Sequence, residues 1–466
     1  MAKRKVVKKK VALKKKAAKR KVFPPAYFLS LSVENVRCFG AEQTIDVSDG
    51  QGRPAQWTVI LGDNNTGKTT LLQCLVALEP TLFPNRLNMV PKLFYGERKF
   101  NLYRDEQKDT LSISGKACFS AKITEMEKEM KKESMSIVLS SPADRQLGKM
   151  NWNSSCKNYD PETLGGLKCY GYGASRIMGE SSLSEKELDD PSASLFKDNV
   201  ELINAEEWLL QADYAAKASK APSKIGQKAR KRRDQIRDVL INLLPEVNDI
   251  RVTKPTKKSP SPKVEFETPY GWIKLDSLSL GYKAMITWMV DLGNRMFERY
   301  QNSTNPLAEP AVVLIDEIDL HLHPKWQRTI MNYLSKRYVN TQFIVTAHSP
   351  LVVQAATNAN IVLLKREGNH VVIDNNPLSV LGWRADQILT SLFEVSGRSV
   401  EIEELQKQRR KILSKAKLTQ TDKRNLKGIE SKMGYLPTAE TPEDIEAMSI
   451  IRQAGKSLKK RKRLKE

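Results

Sequence analysis

The sequence predicts an α/β protein with a largely parallel β-sheet, because three short strand-like segments each end in polar residues. The first, 58–61, leads into a glycine-rich loop and then an apolar helix. The second, 311–315, ends in two adjacent carboxylates, and the third, 342–345, is followed by a polar cluster with a histidine. Uninterrupted apolar strands are typical of parallel sheets, whose ligands bind beyond the carboxyl ends of the strands.

The glycine-rich loop, 62–69, fits the pattern G-x-x-x-x-G-K-[ST] of a phosphate-binding loop. Backbone N–H groups of such a loop hold phosphates at a helix N-terminus, so the motif predicts an NTPase. Lys68 is predicted to reach the β- and γ-phosphate oxygens, and Thr69 to hold Mg²⁺. A glycine-rich hairpin is the alternative; the flanking strand and helix favour the nucleotide site. The predicted ATP-binding residues here are Gly62, Asn64, Asn65, Thr66, Gly67, Lys68, Thr69 and Thr70.

The two carboxylates, Asp316 and Glu317, are predicted to have different roles. Alternating strand geometry would send their side chains to opposite sides. Asp316 is predicted to hold the Mg²⁺ shell, and Glu317 to polarise the water that attacks the γ-phosphate. His348, one of only four histidines in the chain, is predicted to contact the γ-phosphate, with a capping role as the alternative. The predicted catalytic residues are therefore Glu317, Lys68 and His348.

A fourth segment opens a predicted helix at Ser279, and alone it indicates only an N-cap serine followed by a glycine. With the other three motifs, in this order and spacing, it resembles the ABC-type ATPases of the SMC, Rad50, RecF and OLD group over roughly 27–395. The resemblance implies an ABC-type ATPase head. It also implies that the signature residues Ser279 and Gly281 of one subunit close the ATP site of another, so that a dimer encloses two ATP molecules. Higher homo-oligomers, such as a hexamer, stay open.

The acidic strand and the Leu-His-Pro loop at 316–324 look like those of the OLD-like branch, often called AAA15 or AAA21. This similarity implies that Asp319 and His323 belong to the D-loop. Transporter heads usually differ at this loop. The sequence of this loop therefore fits the OLD-like branch better than a transporter ATPase subunit.

Two further segments resemble known heads of this group. The stretch 31–39 looks like the opening strand of Rad50 and OLD-like heads, which implies that Asn35 and Arg37 approach the nucleotide. The stretch 171–176 is similar to the OLD-like branch and lies where related proteins carry a metal-contacting glutamine. No glutamine occurs in it. The residue that senses the metal is therefore left unassigned.

The expected domain organisation is one head with insertions and charged ends. At 466 residues and 40% hydrophobic, the chain can bury one large core with attached lobes. We expect a head over 25–395, with an insertion lobe at about 80–168 and a helical hairpin at about 199–245. The hairpin has about 45 residues, or an arm of about 30 Å, too short for a DNA-bridging coiled coil. A charged helical region is expected over 396–455.

Most of the net charge of +23 lies at the two ends of the chain. Residues 1–22 contain twelve Lys or Arg and no acid, and residues 456–466 contain seven and one glutamate. We expect disordered polybasic tails at 1–24 and 456–466, because such segments bury too little apolar surface to fold. They are predicted to bind nucleic acid or another polyanion electrostatically, and a targeting or solubilising role is the alternative.

Membrane insertion and metal-bound cysteines are not expected. The chain has no run of eighteen apolar residues and no apolar signal core, so we expect a cytoplasmic protein without a membrane span. Its five cysteines are scattered and form no C-x-x-C motif, which favours reduced thiols over zinc.

About 70 residues follow the segment that resembles the head, too few for the TOPRIM nuclease domain that OLD proteins carry there. We therefore expect a nuclease in a separate chain, as in the PARIS anti-phage systems, whose ATPase subunit this chain resembles most. That resemblance implies a homo-oligomeric sensor or scaffold that uses ATP and Mg²⁺. It would hold a TOPRIM effector inactive until a phage anti-restriction protein, often a DNA mimic, is present. A RecF-like DNA-repair ATPase that clamps duplex DNA is the alternative.

Overall fold

The computed structural model describes most of the expected head and two helices beyond it. It covers residues 25–83, 86–91, 117–125, 135–141, 153–157, 166–180, 182–183, 189–218, 223–257, 260–375, 383–393, 395, 399–415 and 419–433. The predicted polybasic tails, 1–24 and 456–466, lie outside these residues, as does much of the expected insertion lobe. The chain divides into two units, Met1–Ile388 and Leu389–Glu466.

The first unit contains both strands and helices. The strands are β1 (Ala26–Glu34), β2 (Gln43–Asp46), β3 (Trp57–Gly62), β4 (Pro80–Phe83), β5 (Arg86–Pro91), β6 (Ala117–Glu125), β7 (Met135–Ser141), β8 (Asn153–Lys157), β9 (Cys169–Tyr172), β10 (Ile177–Met178), β11 (Glu201–Leu202), β12 (Asp249–Val252), β13 (Val264–Thr268), β14 (Gly271–Lys274), β15 (Ala311–Ile315), β16 (Thr341–Thr346), β17 (Asn360–Glu367) and β18 (His370–Asp374). The helices, including two that follow in the second unit, are α1 (Lys68–Ala77), α2 (Ala205–Ala218), α3 (Lys224–Leu243), α4 (Leu280–Arg299), α5 (Pro324–Gln327), α6 (Ile330–Arg337), α7 (Pro350–Ala355), α8 (Ala385–Ser391), α9 (Val400–Leu413) and α10 (Gln420–Met433).

A six-stranded sheet of order β18-β17-β3-β16-β15-β9 carries the predicted motifs. Its strands from β17 to β9 run parallel, and β18 pairs antiparallel with β17 at the edge. Every residue of β3, β15 and β16 is buried, as parallel strands covered on both faces require. The predicted α/β head with a parallel sheet is confirmed. The carboxyl ends of β3, β15, β16 and β9 therefore meet at one edge.

An antiparallel sheet of order β2-β1-β6-β7-β8 shares the core with the parallel sheet. Part of the interval where we expected an insertion lobe thus continues the sheet that β1 begins. Helix α1 is buried along nearly its whole length, and its leucines join one apolar cluster with residues of β1 and β3 such as Leu31 and Ile60. A helix that buries residues on every face needs cover on every side. This burial fixes the N-terminus of α1, where the phosphate loop ends.

The side chain of Gln342 connects the two sheets. It is only 1% exposed, and it accepts a hydrogen bond from the backbone N–H of Phe28 at 3.0 Å while its amide donates to the carbonyl of the same residue at 2.8 Å. Both backbone groups of Phe28 thus find a partner in β16. Buried backbone groups without a partner are costly, so this amide ties β1 to the parallel sheet.

Helices α2 and α3 form a hairpin in the interval where a short helical insertion was expected. The twenty residues of α3 correspond to about 30 Å. Arg232 of α3 donates to the carbonyl of Phe297 in α4 at 2.8 Å, and Trp208 of α2 stacks on the Phe297 ring at 6.2 Å. The hairpin is therefore packed on α4, the helix that Ser279 opens.

Helices α9 and α10 of the second unit pack against each other, in the region where charged helices were expected. Asp422 accepts hydrogen bonds from Lys415 at 2.7 Å and from the backbone and hydroxyl of Thr419, and these partners hold its pKa at about 2. Across the described residues, none of the helices combines the length and apolarity that crossing a bilayer requires. Cys38, Cys74 and Cys169 are free thiols.

We expect Gln342→Leu to lower the free energy of unfolding by about 2 kcal/mol or more, because it leaves two buried backbone groups of Phe28 unpaired. Urea unfolding measures this loss. The exposed Gln51 provides a matched control, and Gln51→Leu should change stability by less than about 0.5 kcal/mol. Equal stability of the two variants would contradict the role assigned to the amide bridge.

Candidate active site

The loop between β3 and α1 has the tight backbone that a phosphate cradle needs. Gly62, Asn65 and Gly67 have φ values of 151°, 65° and 86°. A Cβ added to Gly62 would lie 2.8 Å from the carbonyl oxygen of Leu364, and one added to Gly67 would lie 2.5 Å from the sulfur of Cys38. Glycine is therefore required at both positions, as the motif demands. Of the other predicted loop residues, Asn64 and Asn65 are exposed and Thr66 is buried.

Lys68 places a positive charge inside this loop. Its ammonium group donates to the carbonyl oxygens of Gly62 at 2.8 Å and Asp63 at 2.7 Å. Burial lowers the pKa of Lys68 from its usual value, while the carboxylates of Asp316 and Glu317 act in the opposite direction. The lysine thus lies between the loop backbone and the acidic pair, where it can contact a polyphosphate.

Asp316 joins three elements at the edge of the parallel sheet. One carboxylate oxygen accepts from the Thr69 hydroxyl at 2.6 Å, and the other accepts from the Thr346 hydroxyl at 2.6 Å. The residue is 7% exposed. The predicted pair of metal-binding residues, Thr69 and Asp316, is therefore brought together across 247 positions of sequence.

The strand alternation expected for Asp316 and Glu317 is wrong. Strand β15 ends at Ile315, so neither carboxylate lies within the strand. The Asp316 N–H still donates to Tyr172 of β9, but the Glu317 N–H donates instead to the Thr346 hydroxyl at 2.7 Å. Glu317 has a φ of 48°. A left-handed turn, and not the pleat of a strand, therefore separates the directions of the two side chains.

Arg176 is a residue of this site to which the sequence analysis gave no role. Its guanidinium donates to the carbonyl oxygens of both Asp316 and Glu317, the second at 2.6 Å, and the residue is 3% exposed. Burial lowers its pKa to about 10, although the nearby carboxylates favour the charged form. The stretch 171–176 thus supplies a cation beside the acidic pair. An arginine shortly after a strand-like segment is the sequence signal that could have drawn attention to it.

The predicted D-loop and the histidine loop are tied together. Both carboxylate oxygens of Asp319 accept from the backbone N–H of His348 at 3.2 Å. The hydroxyl of Ser349 donates to Gln327 at 2.6 Å, and the Gln327 amide donates to the Asp319 carbonyl at 3.3 Å. Gln327 was not among the predicted residues. It links the two loops that follow β15 and β16.

The capping role that was the alternative for His348 is filled by its neighbour, whereas the predicted D-loop histidine caps another helix. Ser349, not His348, caps α7, because its hydroxyl accepts from the Leu351 N–H. His323 does cap a helix: its Nδ1 accepts from the Lys325 N–H at 3.2 Å at the start of α5. His348 is half-buried beside Asp319. The imidazole of His348 is therefore not used to cap α7.

The signature segment is exposed at Ser279 and closely packed two residues later. Ser279 is the N-cap residue of α4, yet its side chain accepts no capping hydrogen bond. A Cβ added to Gly281 would lie 2.3 Å from the carbonyl oxygen of His321, which follows the predicted D-loop residue Asp319. The start of α4 therefore rests on the backbone of the loop after the acidic pair.

Arg37 lies against the first turns of α1. Its guanidinium donates to the Thr70 hydroxyl at 3.1 Å and to the Gln73 amide oxygen at 3.2 Å. Asn35 and Arg37 have φ values of 52° and 47°, and the Asn35 N–H donates to the carbonyl of Gly40 at 2.7 Å. The turn after β1 thus brings Arg37 next to the helix that the phosphate loop opens.

The donor set fits a magnesium nucleotide. Thr69 and Asp316 offer hydroxyl and carboxylate oxygens, the hard ligands that Mg²⁺ prefers. Within the described ranges, no group of three or more His, Cys, Asp or Glu side chains could hold a metal ion. Mg²⁺ bound through few protein ligands usually takes the rest from water and substrate phosphates. The glycine cradle and Lys68 lie beside these oxygens.

The fold is that of an ABC-type ATPase head. Residues 30–248 match a family described as "AAA domain". Residues 186–354 match one described as "AAA domain, putative AbiEii toxin, Type IV TA system".

The chain is also similar to curated proteins. The chain is 43% identical to the Retron Ec83 probable ATPase of Escherichia coli over 124 residues, covering 27% of this chain and 22% of the relative. It is 34% identical to the Retron Vc95 probable ATPase of Vibrio cholerae, over 34% of this chain and 31% of the relative. It is 26% identical to the Septu protein PtuA of Bacillus mycoides, over 84% of this chain and 48% of the relative. The chain thus spans less than half the length of each of these relatives.

Among solved structures, the SMC head bound to the C-winged helix domain of ScpA matches 75% of this chain and 97% of its own. The identity is 14% and the TM-score is 0.45.

Proposed function

We propose that the chain is an ATP-hydrolysing subunit of an antiviral defence system. The observation that carries the proposal is the hydrogen bond from Thr69 to Asp316, which joins the phosphate loop to the acidic pair. The relatives named as retron ATPases and Septu proteins are components of multi-protein defence systems, and they supply the biological context. ATP is the proposed substrate, because the glycine cradle, Lys68 and the oxygen ligands suit a magnesium triphosphate.

Each side chain has a distinct proposed role in hydrolysis. Lys68 neutralises the β- and γ-phosphate oxygens. Glu317 orients the attacking water and accepts its proton, and His348 holds the γ-phosphate. Thr69 and Asp316 would hold Mg²⁺, which when bound neutralises charge on the phosphate oxygens. Asp316 thereby supports the metal while Glu317 acts on the water.

The site is proposed to be completed by a second copy of the chain. Ser279 is exposed and its hydroxyl does not cap its own helix, so it is available to a γ-phosphate held by a partner. The contact between Gly281 and the His321 carbonyl ties this serine to the D-loop of the same subunit. A movement of the D-loop would therefore also shift Ser279, which is proposed to contact the ATP bound by the partner. Dimers, or hexamers built from them, are the proposed assemblies.

The effector is proposed to be a TOPRIM nuclease in a separate chain, as in the PARIS systems that the sequence resembles. The trigger is proposed to be an acidic phage anti-restriction protein that mimics DNA, which the basic termini suit by charge. We propose that this sensing takes place in the cytoplasm. These statements rest on the sequence resemblance and on the distribution of charge.

A DNA-clamping ATPase is the second candidate, and one observation favours it. Lys224, Lys228 and Lys231 are exposed on α3 at i, i+4 and i+7, which places them on one face of the helix. Such a row can contact the phosphates of duplex DNA.

The catalytic assignment predicts opposite behaviour for two variants. Lys68→Ala should lose ATP binding, and Glu317→Gln should bind ATP but hydrolyse it at least ~10²-fold more slowly, because it lacks the base. Equilibrium binding and steady-state turnover measure these effects. The exposed Lys336 and Glu367 give the controls Lys336→Ala and Glu367→Gln, which should keep both ATP binding and turnover. Unchanged turnover in both site variants would remove the assignment.

Shared sites predict rescue between two inactive variants. A mixture of Lys68→Ala and Ser279→Arg subunits should regain turnover at about one site per mixed dimer, because one site then has an intact lysine and an intact partner serine. Turnover measured against the mixing ratio gives the result. No activity above that of the separate variants would argue against a site completed in trans.

The clamp candidate predicts duplex DNA binding that ATP strengthens at physiological salt. Its affinity should fall with salt, and replacing Lys224, Lys228 and Lys231 by alanine should reduce the slope of log affinity against log salt by about one per lysine. Weak binding of duplex DNA that ATP does not change would contradict the clamp candidate and leave the defence ATPase as the proposed function.

A further inference from the structure

The backbone at Glu317 adopts a conformation that needs support. Its φ of 48° lies in the left-handed region, which residues other than glycine rarely occupy. Such a conformation persists only where the surrounding structure determines it, and it is frequent at functional sites. The direction of the Glu317 side chain depends on this turn. The groups that hold the turn therefore decide where the proposed base points.

One nitrogen of Arg176 holds both sides of this turn. Its Nη2 donates to the carbonyl oxygen of Asp316 and to that of Glu317, the latter at 2.6 Å. These two carbonyls flank the Cα of Glu317, so binding them at one point restricts both backbone torsions of that residue. The Glu317 N–H is held separately by the Thr346 hydroxyl at 2.7 Å. Every backbone polar group around Glu317 is thus fixed.

The guanidinium of Arg176 is itself held firmly in place. Its Nε donates to the carbonyl of Gly173 at 3.2 Å, and a Cβ added to Gly173 would lie 2.1 Å from the carbonyl oxygen of Ser194. This close approach leaves the loop little room to move. The clamp on Glu317 therefore rests on a rigid support.

The support is also joined to the signature helix. The Tyr172 hydroxyl donates to Asp291 of α4 at 2.9 Å, and Arg295 pairs with the same carboxylate at 2.7 Å. Asp291 is completely buried. The segment that carries Arg176 is therefore anchored to the helix that begins at Ser279.

We propose that Arg176 is a positioning residue for ATP hydrolysis, which acts by holding the backbone of Glu317 in its left-handed turn. It is 3% exposed and three of its hydrogen bonds are to backbone carbonyls, so it acts through Glu317 and not on the nucleotide. The inference rests on the proposed function, since it concerns the same reaction.

A purely electrostatic role is the competing explanation, because Arg176 lies near the carboxylates of Asp316, Glu317 and Asp319. Lysine would keep the charge but lacks the planar fork that reaches three carbonyls at once. Methionine removes both charge and donors at similar length. The two replacements therefore separate geometry from charge.

The test compares Arg176→Lys and Arg176→Met with the wild type in kcat and in ATP affinity. We expect Arg176→Met to lower kcat about 10²-fold, as small displacements of catalytic groups do. Arg176→Lys should also lower kcat, by about tenfold or more, and both should bind ATP within about threefold of wild type. Arg232→Met, which removes another arginine bound to a backbone carbonyl, should leave kcat unchanged.

A double variant tests whether Arg176 acts through Glu317. Arg176→Met combined with Glu317→Gln should be no slower than Glu317→Gln alone, because the positioned base is already absent. The inference is wrong if the kcat losses of the two single variants multiply in the double variant. It is also wrong if Arg176→Lys keeps the full kcat, or if the Arg176 variants lose ATP affinity instead of kcat. Wild type and Glu317→Gln are measured in parallel. A wild type without turnover would overturn the proposed function itself, whereas wild-type turnover with unaffected Arg176 variants would overturn only this inference.

Discussion

The carboxylate of Asp316 is the point at which the phosphate loop, the strand β15 and the strand β16 are held in one arrangement. Its two oxygens accept from hydroxyls of Thr69 and Thr346, which come from different elements. This arrangement requires the parallel order β3-β16-β15, because only parallel neighbours bring these strand ends to one edge. It also requires α1 to begin at a fixed place, which its burial along nearly its whole length provides. The chemistry of the site therefore depends on the core.

A second layer of contacts connects this centre to the surface proposed to meet a partner. Asp319 and Gln327 join the loops after β15 and β16, and the His321 backbone packs on Gly281 at the start of α4. The same helix holds Tyr172 through Asp291, close to Arg176. Both contacts run from the acidic pair to α4. The acidic pair and Ser279 are thus connected through packed and hydrogen-bonded groups.

The sequence predicted the parts of the site that are local in the chain. The phosphate loop needs only a strand, two glycines and a helix in succession. The strand before Asp316 consists of apolar residues only, so its burial can be predicted from the sequence. The alternation of Asp316 and Glu317 was wrong, because a strand pattern does not reveal where the strand ends. Arg176 and Gln327 were missed because their partners are set by tertiary packing; the Arg176 clamp joins residues about 140 positions apart.

A structure of the Glu317→Gln variant with ATP and Mg²⁺ is the most direct test of the account. It should show one triphosphate in the glycine cradle, with the γ-phosphate against Lys68 of one protomer and the Ser279 hydroxyl of its partner. Asp316 and Thr69 should lie on the metal side of the phosphates. A nucleotide bound away from the cradle, or phosphates remote from the acidic pair, would contradict the proposed convergence of these residues on one substrate.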